Sequence, residues 1–162
     1  MKKITIVDYG SGNVLSAQKS FIKIAKDNNI EVDVSISKKL NDVKNSTHIV
    51  LPGQGAFSTC MNGLKKTDGL IDELSEFALI KKKPFLGICV GMQMLLESSE
   101  ENNGVQGLNI LDGKITKLPS SEEIKVPHMG WNNVNFLHDH FLTKGIEDSS
   151  FFYFVHSYCC LQ

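Results

Sequence analysis

The first ninety residues of the chain alternate two hydrophobic periods, and that alternation leaves few folds open. A β-branched run at 4–7 ends in the turn cluster Asp8-Tyr9-Gly10-Ser11-Gly12-Asn13. Val14, Ala17, Phe21 and Ala25 then recur at helical spacing, with Leu15 and Ile22 widening the stripe until Asn28-Asn29 closes it. Strand patterning returns at 31–36 and at 48–51, where Pro52-Gly53 stops it. Helical patterning at 57–64 and 70–80 precedes a further strand at 85–88. The series β-α-β-α-β-α-β predicts an α/β fold, a mostly parallel sheet with helices on both faces.

Beyond Gly107 the texture changes. Residues 113–118 and 134–137 read as shorter, more polar strands separated by Pro119-Ser120-Ser121-Glu122-Glu123, and 151–155 as a dense apolar one. The second half is therefore expected to be more antiparallel. No repeat or linker marks a boundary, so 1–162 reads as a single domain, long enough to bury a core.

Composition narrows the partners. Charged residues make up 22% of the chain and the net charge is −1, which gives no nucleic acid or anionic membrane a reason to bind. No apolar run approaches spanning length, and the start, Met1-Lys2-Lys3-Ile4-Thr5-Ile6-Val7-Asp8, turns polar too soon for a signal peptide, so a cytoplasmic location is expected. Cys60, Cys89, Cys159 and Cys160 show neither metal-ligand spacing nor a disulfide pattern. Cys60, Cys159 and Cys160 read as packing residues, and the pattern calls for no metal and no cofactor.

Cys89 is different. It is the centre of Gly87-Ile88-Cys89-Val90-Gly91-Met92-Gln93, which follows the apolar strand and opens a helical stretch. Glycines two residues either side of a reactive side chain permit a turn sharp enough to hold it above the sheet. The helix that follows favours a thiolate there. Attack on a carbonyl also needs donors for the developing oxyanion. The Val90 N–H and the loop Pro52-Gly53-Gln54-Gly55 can offer them, both at the carboxyl edge of a parallel sheet where ligands bind.

Five segments carry a family resemblance across nearly the whole chain. They are Val7-Asp8-Tyr9-Gly10-Ser11-Gly12-Asn13, Leu51-Pro52-Gly53-Gln54-Gly55-Ala56-Phe57, residues 87–97, Val126-Pro127-His128-Met129-Gly130-Trp131-Asn132, and Tyr153-Phe154-Val155-His156-Ser157-Tyr158. With them the chain resembles the class I, triad-type glutamine amidotransferases. The last two segments narrow this to the glutaminase subunits of imidazole glycerol phosphate synthases, in histidine biosynthesis.

The resemblance implies a flavodoxin-like three-layer fold and a glutaminase in which Cys89 attacks the side-chain amide of glutamine, releasing ammonia and leaving a thioester. It implies an oxyanion hole at Gly53 and Val90, and substrate binding by Gln93, Glu101, His156 and Ser157. It also implies a heterodimer with a cyclase subunit, faced by Asn13, Met129, Trp131 and Tyr153. The cyclase would use the ammonia to make imidazole glycerol phosphate and AICAR.

One departure qualifies the pattern. The family supplies its base and orienting carboxylate from a His-Pro-Glu segment, and no His-x-Glu occurs here. His48 reads as part of a buried strand, His128 and His156 match non-catalytic positions, and His138 and His140 flank Asp139 in a polar loop. The expectation is a chain truncated at its C-terminus, weak as a glutaminase in this form because a general base contributes roughly 10²- to 10⁴-fold. A catalytically dead partner-binding subunit, or a paralogue feeding ammonia to surface-sugar amidation, are the alternatives. A stress-type hydrolase sharing the cysteine elbow is disfavoured by residues 127–132.

Overall fold

A computed structural model describes residues 1–102, 104–121 and 125–160, so Glu122 and Glu123 of the expected loop lie outside the described residues. The described chain forms two compact units, Met1–Thr116 with Cys160, and Lys117–Cys159.

The first unit is a doubly wound α/β layer structure. Its elements are β1 (Lys2–Val7), α1 (Val14–Asp27), β2 (Val32–Ser37), α2 (Leu40–Lys44), β3 (His48–Gly53), α3 (Phe57–Lys65), α4 (Leu70–Ser75), β4 (Phe85–Cys89) and α5 (Val90–Gln93). The sheet order is β2-β1-β3-β4 and every pair is parallel. Alternation along the strands explains the two helical layers. Ile4, Ile6 and Val50 pack under Val14, Ala17 and Phe21 of α1. Val7, Ile49 and Leu51 face the opposite way, into a core with Phe57, Leu64, Leu70, Leu74 and Phe77. Each such fully buried side chain contributes about 1.5–3 kcal/mol.

Two boundaries differ from the sequence reading. Strand β3 does not stop at Pro52 but runs through it to Gly53, which pairs with Cys89. The pairing of β1 with β3 ends at Ile6 and Val50, so the missing N–H of Pro52 falls where no ladder bond is called for. The helix expected over 70–80 is α4 followed by a π-helical turn, Glu76–Ile80, in which Lys81 N donates to Glu76 O at 2.9 Å.

Three short strands follow, β5 (Ser98–Ser99), β6 (Val105–Gln106) and β7 (Lys114–Lys117); β5 pairs antiparallel with β6 and parallel with β7.

The second unit is built on an antiparallel hairpin of β8 (His128–Val134) and β9 (Ser150–His156), followed by β10 (Tyr158–Cys160). The strand expected at 134–137 is therefore displaced: the strand ends at Val134, and the apolar Phe136 and Leu137 sit in the connecting loop. That loop is tied at its base, where Ser149 N donates to Val134 O at 2.9 Å and Phe136 N to Asp148 Oδ1 at 2.8 Å. Among the described residues no helix is long and apolar enough to cross a membrane.

Candidate active site

Cys89 ends β4 and caps α5, with φ 55° and ψ −120°. A non-glycine residue in that region costs on the order of 1–3 kcal/mol and persists only where its surroundings hold it. Here the surroundings are bare backbone. A Cβ on Gly91 would collide with the Leu51 carbonyl oxygen, and one on Gly87 with the Met92 backbone. Both glycines are thus required by close approach, and the turn they allow leaves the Cys89 side chain exposed. The helix that follows is a single turn, so the thiol's surroundings owe less to a helix dipole than the sequence suggested.

Gly53 stands beside this turn. It is in register with Cys89, and a Cβ on it would strike Gly91 N and the Val90 carbonyl carbon. Ile49 N donates to Pro84 O at 3.0 Å, and alternation along β3 turns the N–H of Gly53 the same way, toward β4, where the pairing of Pro52 with Ile88 engages it in the sheet ladder. The Val90 N–H opens α5, where a helix leaves its donors without an intrahelical partner. Two backbone N–H groups therefore lie at the strand ends on either side of the cysteine.

The turn after β1 braces this loop, which no spacing in the sequence discloses. Tyr9 Oη donates to Pro52 O at 2.6 Å, and Ser11 Oγ donates to Gln54 O at 2.8 Å. Cys60 Sγ lies 3.3 Å from Ser11 Oγ and 3.4 Å from Gln54 O, so this buried cysteine hydrogen-bonds as well as packs. Burial, and then the neighbouring Cys60, raise the Tyr9 pKa well above the ordinary tyrosine value.

Gln93 closes α5, one turn beyond Cys89. Glu101 reaches across 44 positions to accept the Phe57 N–H at 2.8 Å, capping α3, whose own N-cap residue Ala56 makes no side-chain bond. It thereby stands where the loop carrying Gly53 enters α3. Glu97, four residues earlier, is turned elsewhere and accepts from Gly113 N at 3.4 Å. Asn13 is exposed and caps α1, accepting from Ser16 N at 3.1 Å.

His48 is at the opposite end of β3, five residues from Gly53, or roughly 16 Å at the usual rise of a strand. It cannot serve as the base for Cys89. Burial, with Lys2 adding to it, lowers its pKa below the ordinary histidine value.

The remaining expected residues belong to the second unit. Cross-strand register places Met129 opposite Val155, Trp131 opposite Tyr153 and Asn133 opposite Phe151, all on one face of the hairpin. The five large side chains of that face are exposed, Trp131 at 70%, and the Trp131 and Tyr153 rings meet edge to face with centroids 5.7 Å apart. His156 lies on the other face with His128, and the Ser157 carbonyl accepts from Leu118 N at 2.9 Å. His138 and His140 are in the loop, exposed as expected. Cys160 is exposed too, contrary to its reading as a packing residue; it ends the last strand rather than entering a core. Among the described residues no group of three metal-ligating side chains comes together.

These features place an exposed cysteine in a strained turn at the carboxyl edge of a parallel α/β sheet. Residues 5–162 match the family model for glutamine amidotransferase class-I, and the chain belongs to that family. Its relatives narrow the likeness further. The imidazole glycerol phosphate synthase subunit HisH of Pelagibacter ubique is 42% identical over 156 residues, covering 96% of this chain and 74% of the relative. The subunit of the same name from Methanosarcina acetivorans is 44% identical over 158 residues, covering 98% and 73%. That from Rhodospirillum rubrum is 40% identical, covering 96% and 74%.

Proposed function

We propose that the chain is the glutamine-hydrolysing subunit of an imidazole glycerol phosphate synthase, passing ammonia to a cyclase subunit in the cytoplasm. The observation that carries the chemistry is the left-handed Cys89 in register with Gly53 at the carboxyl edge of the sheet. The similarity to HisH subunits carries the pathway. Because the family match runs over both compact units, we read them as parts of one amidotransferase domain.

In this reading the Cys89 thiolate adds to the Cδ of glutamine, and the amide oxygen takes the negative charge. The N–H of Val90, and that of Gly53 once it leaves the sheet ladder, receive that oxyanion. Collapse breaks the C–N bond, the nitrogen leaves as ammonia with a proton, and a γ-glutamyl thioester remains. Water then adds to the thioester and expels Cys89, giving glutamate. Gln93, Glu101, His156 and Ser157 hold the amino-acid end, Glu101 as a carboxylate suited to an ammonium group. Proton transfer calls for a general base beside Cys89, which His48, at the far end of β3, cannot be. Asn13, Met129, Trp131 and Tyr153 face the cyclase; an exposed aromatic pair flanked by apolar side chains has the character of an interface hot spot.

The test is glutamine hydrolysis by the native full-length chain with its cyclase and the cyclase ligand. Turnover lost in Cys89→Ala, with a γ-glutamyl adduct on Cys89 seen by mass spectrometry in the wild type, supports the assignment. Turnover that survives Cys89→Ala ends it. The intact mass of the protein from its native cells decides whether the proton-transfer residues are on the same polypeptide.

A further inference from the structure

We propose that Glu101 couples glutamine binding to the order of the loop beside Cys89: its Oε2 holds the Phe57 N–H where that loop enters α3, while Oε1 takes the substrate's ammonium group. This coupling deepens the amidotransferase reading above and rests on it.

The loop spans residues 53–57 and is held unequally along its length. Its first end, Gly53, lies in the sheet ladder opposite Cys89. Gln54 O accepts from Ser11 Oγ at 2.8 Å. A Cβ on Gly55, at φ 86°, would meet nothing within 4 Å, so open space surrounds the chain there. The far end depends on Glu101, because Ala56 supplies no side-chain cap and Glu101 Oε2 stands 2.8 Å from Phe57 N. Of these anchors only Glu101 is a carboxylate, so it is the one whose hold an approaching ammonium group can alter.

Tertiary contacts place Glu101 itself. Its N–H donates to Oγ of Ser99, a 1% exposed residue of β5, at 3.2 Å. Glu100 N donates to Ile115 O of β7 at 2.9 Å. Asn102, at φ 56°, accepts from Ser58 Oγ at 3.0 Å. The turn after β5 therefore grips the first turn of α3 with two consecutive residues, and the Glu101 backbone is fixed on both sides.

A glutamate side chain loses roughly 1.5–2 kcal/mol of rotamer freedom when it is held in one geometry. The cap and the ammonium group need the same carboxylate in the same place, so that loss is incurred once for two bonds. Each bond then strengthens the other by the same factor. Glutamine binding tightens Phe57 and the loop before it, and a loosened loop weakens glutamine.

Cys89→Ala in the native full-length chain, assembled with its cyclase, lets glutamine bind without turnover. Saturating glutamine is expected to slow amide hydrogen exchange at Phe57 about fivefold or more. Glutaramate, which is glutamine without its amino group, brings no ammonium and is expected to leave that exchange unchanged at saturation. Adding Glu101→Gln keeps an acceptor for the Phe57 N–H but removes the charge, and should abolish the slowing at saturating glutamine. A cap with a purely structural role would leave Phe57 exchange indifferent to glutamine, and that result overturns the proposal. Equal slowing by glutaramate, or slowing that survives Glu101→Gln, overturns it too. The glutaramate arm needs no change at Glu101, so a Glu101 variant that folds poorly leaves the test standing. Wild-type turnover that does not depend on Cys89 defeats the amidotransferase reading, and the coupling with it, so the two failures are distinguishable.

Discussion

His128 and His156 face each other across the β8–β9 hairpin, with Nδ1 of the first 3.0 Å from Nε2 of the second. Nδ1 of His156 is 3.1 Å from the Tyr158 carbonyl oxygen, which can only accept. That carbonyl places a proton on His156 Nδ1, leaves Nε2 of the neutral ring to accept, and makes His128 Nδ1 the donor between the rings. Long-range ¹H–¹⁵N spectra should therefore show both neutral rings protonated at Nδ1. His156→Ala should speed amide exchange along the hairpin, at a cost of about 1 kcal/mol for the lost bond. An Nε2–H tautomer for His156 would contradict the geometry.

Glu101 has a cap to make as well as a proposed substrate to hold. Glu101→Gln keeps an oxygen for the Phe57 N–H but loses the charge. It should raise KM for glutamine about tenfold or more while leaving the melting temperature near that of the wild type, because a charge-assisted bond contributes roughly 1.5–3 kcal/mol. Glu101→Ala should raise KM and lower the melting temperature together. Equal KM values for Gln and wild type would remove Glu101 from the substrate site.

Trp131 is the only tryptophan and is largely exposed, so it reports on its own face. Its emission should be red-shifted and readily quenched by acrylamide in the isolated chain, then move to the blue on adding the cyclase. Trp131→Ala should weaken that association by about 2 kcal/mol or more, with little change in melting temperature. Unaltered emission in the complex would place the interface elsewhere.

Glu73 is 4% exposed and accepts from Lys81 Nζ at 2.7 Å, with Lys44 Nζ farther off at 3.8 Å. Lys81→Met strands most of a buried charge and should lower the urea midpoint more than the double change Glu73→Leu with Lys81→Met. The hydrogen bonds to Glu73 and then Glu76 raise the Lys81 pKa above the ordinary lysine value. Its contribution is therefore whole below that ordinary value and fades as pH climbs above it. A double change less stable than the single one would refute the stranded-charge account.

His48 sets the opposite trend on the acid side. Its pKa is lowered in the folded chain, so below about pH 6.5 the unfolded chain binds the proton first and stability declines as pH falls. Above that value it contributes no slope. His48→Gln should flatten the denaturation midpoint between pH 6.5 and the lower folded value; a slope that persists unchanged would assign the effect to other groups.

Much of the first unit was legible because local chemistry and the global fold agree there. Helical stripes such as Val14, Ala17 and Phe21, β-branched strands, and glycines at the turns all ask for a parallel sheet with two helical layers, and that is the sheet found. The glycine-flanked Cys89 was equally plain, since its strained turn depends on neighbours within two residues. The second half was less legible. Phe136 and Leu137 look like strand residues yet belong to a loop, because pairing with 150–156 decided which residues extend, and no local preference encodes that register.

The residues themselves thus determined the layer order, the strained cysteine turn and the family. Only the tertiary structure decided which distant groups meet. Tyr9 reaches Pro52 across 43 positions, and Glu101 reaches Phe57 across 44. A parallel sheet brings such pairs together at its carboxyl edge after whole helices have intervened, so their contacts depend on chain crossings rather than on any spacing that can be counted along the chain.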